Sequence, residues 1–150
     1  MHSGKNVLIA AKRSDVMSRI RRRGNKETEL ALMTLFRRHH ITGWRRQVTL
    51  KLSVVSGQFS VRPDFVFPKL KLAVFVDGCF WHSCPKHATK PANNAAFWRK
   101  KLSANKARDG RVTRTLRRLG WRVVRVWEHE LARKNEGRCV EKIRRNLNHG

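Results

Sequence analysis

The sequence predicts an α/β fold, a mixed β-sheet flanked by α-helices, and three features predict it. The run Leu72-Ala73-Val74-Phe75-Val76 is apolar throughout, as a strand covered on both faces requires. A long helical pattern runs from Pro91-Ala92-Asn93-Asn94 to Leu119, and the strand-like run Trp121–Trp127 comes directly after it. Helix, three strands, helix, strand, helix is an order that suits one mixed sheet with helices on its faces.

Each element has its own local signals. Residues 1–13 carry no convincing pattern and read as a loose basic arm, which leaves 14–150 as a single domain. A short helix from Ser14 includes Val16, Met17 and Ile20 and stops at Arg21-Arg22-Arg23-Gly24. Asn25 is placed to cap the next helix, with Glu27 and Glu29 in the first turns, where the helix dipole favours anions. Leu32, Leu35 and Phe36 keep helical spacing towards His39. Strands are expected over Gln47–Val55, Pro63–Phe67 and Leu70–Val76, with Gly57 and Pro68 as turn signals between them. In the long helix the apolar face comprises Phe97, Ala104, Val112, Leu116 and Leu119, and Gly120 suits its C-terminal cap. A last helix sets Val140, Ile143 and Leu147 together.

A chain of 150 residues with 40% hydrophobic content is large enough for one domain with a real core. Thirty-five Lys and Arg against ten Asp and Glu give a formal net charge of +25. Such an excess repels itself in the compact state, so an acidic partner is the simplest reason to keep it. Nucleic acid fits, because neutralising phosphates releases counterions. An anionic membrane fits less well, since no basic helix has a broad apolar face to lie on lipid. The run Val7-Leu8-Ile9-Ala10-Ala11 is too short for a signal-peptide core, and no apolar run reaches membrane-spanning length. Three cysteines make no disulfide framework, so the chain reads as cytoplasmic with reduced thiols.

The chemistry is concentrated between Val76 and His87. Cys79, Cys84 and His87 form a C-x4-C-x2-H set that suits tetrahedral zinc, with a fourth ligand to come from His82, His129 or Cys139. Asp64 follows Pro63 at a strand start, and Asp77 follows the apolar strand. A hairpin between those strands would bring both carboxylates to one end of the sheet, where hard oxygens hold Mg²⁺ for phosphodiester hydrolysis. The plainer alternative makes Asp64 a turn residue after proline. His82 suits either a general base or a zinc ligand. Phe80 suits core packing, whereas Trp81 suits core packing or a wedge between base pairs. Lys and Arg crowd the long helix and suit contacts to a phosphate backbone.

On these residues the chain resembles the very-short-patch-repair (Vsr) DNA mismatch endonucleases, relatives of the restriction-endonuclease fold. The matching segments are Glu27-Thr28-Glu29-Leu30, Arg62-Pro63-Asp64-Phe65-Val66 and Val76-Asp77-Gly78-Cys79-Phe80-Trp81-His82. Phe97-Trp98, Asn105 with Asp109, Gly120-Trp121-Arg122-Val123 and Val126-Trp127-Glu128 follow in the family order. The resemblance implies a restriction-endonuclease-like domain and a Mg²⁺-dependent nick in one strand of duplex DNA beside a T:G mismatch, the product of 5-methylcytosine deamination. It implies that Asp64 binds the metal with help from the Val76 carbonyl, that His82 is the general base, and that Glu29 and Asp109 support them. Asp77 would share in hydrolysis. It further implies a structural Zn²⁺ on Cys79, Cys84, His87 and His129, and intercalation by Phe80 and Trp81 with Met17.

Two departures stand out. The best-known family members carry a histidine where this chain has Asp77, and Ser83-Cys84-Pro85-Lys86-His87 replaces a histidine-rich run. A monomer is expected, with a repair factor or a companion cytosine methyltransferase as possible protein partners. Two rival expectations remain open at this point: a restriction-type nuclease with no mismatch requirement, and a non-catalytic zinc-dependent DNA-binding module.

Overall fold

The computed structural model describes residues 27–78 and 94–148. The basic arm, the short helix with Met17, the Asn25 cap and residues 79–93 lie outside the described residues. The first helix, α1, is helical over 27–38. Leu32, Leu35 and Phe36 are buried on one face of it, as their spacing requires. It ends in a Schellman motif: the Ile41 N–H donates to the Phe36 carbonyl at 2.8 Å and the His40 N–H to that of Arg37 at 3.3 Å. His40 takes the left-handed position with φ 55° that glycine usually fills.

Four strands build the main sheet: β1 (Arg45–Arg46), β4 (Phe65–Phe67), β5 (Leu72–Asp77) and β6 (Arg122–Trp127), adjacent in that order. β1–β4 and β4–β5 are antiparallel, and β5–β6 is parallel. The expected mixed α/β architecture is therefore present. A 3₁₀ turn at Pro68–Leu70 closes the β4–β5 hairpin. Helix α2 (Ala95–Arg118) lies within the crossover between the parallel strands, and α3 (Glu136–Asn148) follows β6. β2 (Leu50–Val54) and β3 (Gly57–Val61) form a separate antiparallel hairpin.

Alternation along β5 divides the interior in two. Leu72, Val74 and Val76 face a cluster built by Leu32, Leu35 and Phe36 of α1 and Cys139, Val140 and Ile143 of α3. Ala73 faces the other way, onto Leu116 of α2, with Leu50, Leu52, Phe59 and Val61 of the hairpin packed alongside. Phe36 sits edge-on to Phe65, with ring centroids 5.1 Å apart, and close to Phe67 and Trp44. No described helix is long and apolar enough to cross a membrane.

Three sequence expectations need correction. The strand expected over Gln47–Val55 begins only at Leu50, because Gln47 takes a left-handed φ of 57° that no strand tolerates. A turn does fall beside Gly57, but the sequence expectations left out the strand that follows it, whose Phe59 and Val61 alternate inward onto the second cluster. The apolar face of α2 also stops short. Leu116 is buried, but Phe97 is 58% exposed and Ala104 is exposed, so the N-terminal half of α2 lies off the described core. Gly120 does cap α2, in a second Schellman motif closed by Trp121 N–H on the Leu116 carbonyl at 2.9 Å.

The two helices on the first face are clamped at their ends. Arg38 donates to both carboxylate oxygens of Glu136, and His39 Nε2 lies 2.7 Å from Oε1. The His39 hydrogen bond holds the Glu136 carboxyl below its usual 4.5, against desolvation and with help from Arg38. A depressed folded-state value means that this stabilisation is present above pH 4.5 and is lost as pH falls through the folded value. Urea midpoints of the wild type and Glu136→Gln should therefore converge as pH drops below 4.5. A gap that stays constant as pH falls well below 4.5 would assign the clamp no role in acid sensitivity.

Candidate active site

Asp64 stands at the mouth of the β4–β5 hairpin. Pro63, itself fully buried, anchors the chain just ahead of it. Antiparallel pairing of Phe65 with Val74 brings the end of β5 alongside. The Val76 N–H then donates to Asp64 Oδ2 at 2.7 Å, a charge-assisted bond that fixes the carboxylate's orientation.

Asp64 lines a cleft of about 280 Å³ with Glu29, Gln47, Arg62 and Pro63. Glu29 comes from α1, and Arg46 of β1 holds it, with Nε donating to Oε1 at 2.9 Å. The structure thus brings Asp64 and Glu29 together, two carboxylates 35 positions apart in sequence. Sequence reasoning missed Arg46, Arg62 and Gln47 as neighbours of this site. Arg62 was readable, as the cation beside Pro63-Asp64. Gln47 was not, because nothing local announces its left-handed backbone.

Asp77 and Asp109 meet at Arg125, on the face of the sheet that α2 covers. Asp77 is 5% exposed, and both of its oxygens accept from Arg125 Nη1, at 3.0 and 3.2 Å. Arg125 also donates to Thr113 Oγ1 at 2.8 Å and to the Asp109 carbonyl at 3.1 Å. Its guanidinium lies 4.4 Å from the centre of the Phe75 ring, a cation–π contact. Parallel pairing explains the constellation, since Phe75 pairs with Arg125 and Asp77 lies two residues on, on the same face. The signal for Arg125 was present as a lone charge inside Val123-Val124-Arg125-Val126.

His129 occupies the 3₁₀ turn Glu128–Leu131 at the end of β6, where its carbonyl accepts from Asn135 Nδ2 at 2.8 Å. Cys139, one of the sequence candidates for the fourth zinc position, is 1% exposed within the α1–α3 core. Burial pushes its thiol up to about 11, so it behaves as a packed apolar group. Cys79, Phe80, Trp81, His82, Cys84 and His87 lie outside the described residues, as does Met17.

A carboxylate anchored at a strand end, a second carboxylate beside it and arginines around both are equipment for hydrolysing a bond in a polyanion. The sequence profile of the family described as DNA mismatch endonuclease Vsr matches residues 5–90, and the chain belongs to that family. Among its relatives, the Type II nicking enzyme V.NaeI of Lentzea aerocolonigenes is 40% identical over 95% of this chain and 82% of its own length. The Type II nicking enzyme V.NmeAIP of Neisseria meningitidis is 34% identical over 93% and 92%. The DNA mismatch endonuclease Vsr of Escherichia coli is 44% identical over 53% of this chain and 51% of its own length. The protein is a DNA endonuclease, and DNA is the acidic partner that its charge called for.

Proposed function

We propose that this endonuclease nicks one strand of duplex DNA next to a T:G mismatch, with Mg²⁺ held at Asp64. The observation that carries the reading is the Asp64–Val76 hydrogen bond in a cleft shared with Glu29. It presents a fixed carboxylate to a hard cation, with a second carboxylate in reach and the Val76 carbonyl at the same strand end. The donor set is all oxygen and fits Mg²⁺. Bound there, the ion would polarise a phosphoryl oxygen and acidify water.

The chain's own residues divide the remaining work. Glu29, held by Arg46, stays aimed into the cleft as a supporting carboxylate. Arg62 offers a planar fork to a phosphate beside Asp64. His82 takes the proton from the attacking water. Asp77 and Asp109 act through Arg125 as positioning residues, because the fork joins β6 to the end of β5 and to α2. Phe80 and Trp81, with Met17, open the base stack at the mismatch.

Zinc on Cys79, Cys84, His87 and His129 would be structural within a restriction-endonuclease-like domain. The parallel register supports it: Asp77 pairs with Trp127, so the chain towards Cys79 and the turn holding His129 leave the sheet at the same end.

The deciding experiment incubates the protein and Mg²⁺ with matched and T:G-containing duplexes and reads strand nicks. Nicking confined to the mismatched duplex is expected. Equal nicking of matched DNA would replace mismatch recognition with a restriction-type specificity. Binding without nicking would favour a DNA-binding module.

A further inference from the structure

Helix α2 carries far more charge than its packing explains. Nine of its 24 residues are Lys or Arg, against 35 in 150 for the whole chain, and Asp109 is its single acid. Lys106, Arg111, Arg114, Arg117 and Arg118 are all exposed. Arg111, Arg114 and Arg118 fall at i, i+3 and i+7, which puts them on one stripe.

The few carboxylates are placed elsewhere. Glu136 pairs with Arg38, Glu141 with Arg145, Glu130 with Lys142, and Glu29 with Arg46. Among the described residues no carboxylate pairs with Arg111, Arg114, Arg117 or Arg118. A merely soluble surface mixes both signs, and α1 and α3 do so. The outer face of α2 does not.

Its position separates it from the cleft. Glu29 of α1 lines the cleft, whereas α2 covers the opposite face of the sheet through Leu116. Helix α2 also runs back against β5, since it links two parallel strands. Arg117 and Arg118 therefore lie by Leu72 and Arg122, at the far end of β5 from the Asp64–Val76 bond, and Arg111 lies about one and a half to two turns back along the helix. That end is about 13 Å further along the strands, at about 3.3 Å per residue.

We propose that the outer face of α2 is a second DNA-binding surface, which grips duplex phosphates separately from the duplex in the cleft. Twenty-four helical residues span about 36 Å, close to one turn of B-DNA. Within it the stripe from Arg111 to Arg118 covers about 10 Å, enough to meet neighbouring phosphates and read no sequence. One chain would then hold two DNA segments and pass between them during a search.

The test is a bridging assay without Mg²⁺. Full-length protein is bound to an immobilised matched duplex and challenged with a labelled second duplex, at a concentration where sedimentation shows monomer. The wild type should retain the second duplex at low salt, and R111Q/R114Q/R118Q should retain at least about tenfold less. The salt slope of non-specific affinity should fall by about 2 to 3, near 0.9 for each lost phosphate contact. Nicking of a short duplex by the variant should stay within about twofold of wild type, because exposed substitutions leave the fold intact.

A wild type that never holds more than one duplex per chain overturns the proposal. So does a variant that bridges as well as wild type, or bridging seen only in dimers. Loss of short-duplex nicking in a well-folded variant would place α2 in the first duplex's footprint and also overturn it. Absence of mismatch preference would strike the reading of the cleft and leave the bridging readout standing.

Discussion

Asp64→Asn should lower the single-turnover nicking rate by about 10³-fold or more, while duplex affinity without Mg²⁺ changes little. Asparagine keeps an oxygen that can accept from the Val76 N–H, so the hairpin mouth survives. It removes the negative charge that a divalent ion needs. Losing about 4 kcal/mol of metal-dependent stabilisation corresponds to that rate effect. Rates are to be read from a nicked T:G duplex at saturating enzyme, beside a thermal melt of each protein. A variant that melts like wild type and still nicks within tenfold of it would remove Asp64 from the centre of the site. Glu29→Gln should cost less, because in the proposed reading Glu29 would only support the ion, from a position tied to Arg46.

The second large effect falls on stability. Asp77→Ala should destabilise the fold by about 3 kcal/mol, the low end for breaking a buried pair, because it leaves Arg125 without its carboxylate. Arg125 keeps Thr113 and the Asp109 carbonyl, and its side chain is 23% exposed, which limits the loss. For a chain of this length that cost lowers Tm by about 6–12 °C. Asp77→Asn should lower it less, since an amide oxygen still accepts from the guanidinium. The comparison also tests the residue's role. A positioning residue loses stability and nicking together, and Asp77→Asn restores much of both. If Asp77→Ala melts like wild type yet does not nick, the carboxylate works directly in the chemistry.

That distinction shows where sequence reading stopped. Both aspartates stand at hairpin ends, and the order of strands brings both to one end of the sheet, as expected. The sequence does not show that Asp77 is bound to Arg125 while Asp64 lines the cleft with Glu29. In β5, Val76 faces α1 and α3 while Asp77 faces α2, because side chains alternate by one residue. Asp77 has found its arginine partner on the neighbouring strand.

Local signals read the helices well. Leu32, Leu35 and Phe36 declared the buried face of α1, and Gly120 declared the end of α2. They read the hairpin of β2 and β3 poorly, because its strands are half-exposed and pair only with each other. They also placed Phe97 and Ala104 on a core face that the described structure does not give them, since spacing records which residues share a face and not what covers it.

The sequence by itself determined the mixed α/β class and the endonuclease family, through short motifs whose chemistry is local. Its charge determined that the partner is a polyanion. Only the tertiary structure decided which groups stand together: Glu29, held by Arg46, beside Asp64 in one cleft, and Asp77 with the Asp109 carbonyl on Arg125. The reason is physical. Ion pairs between residues far apart in the chain form where strand register and helix packing set them, and neither is encoded in any one segment.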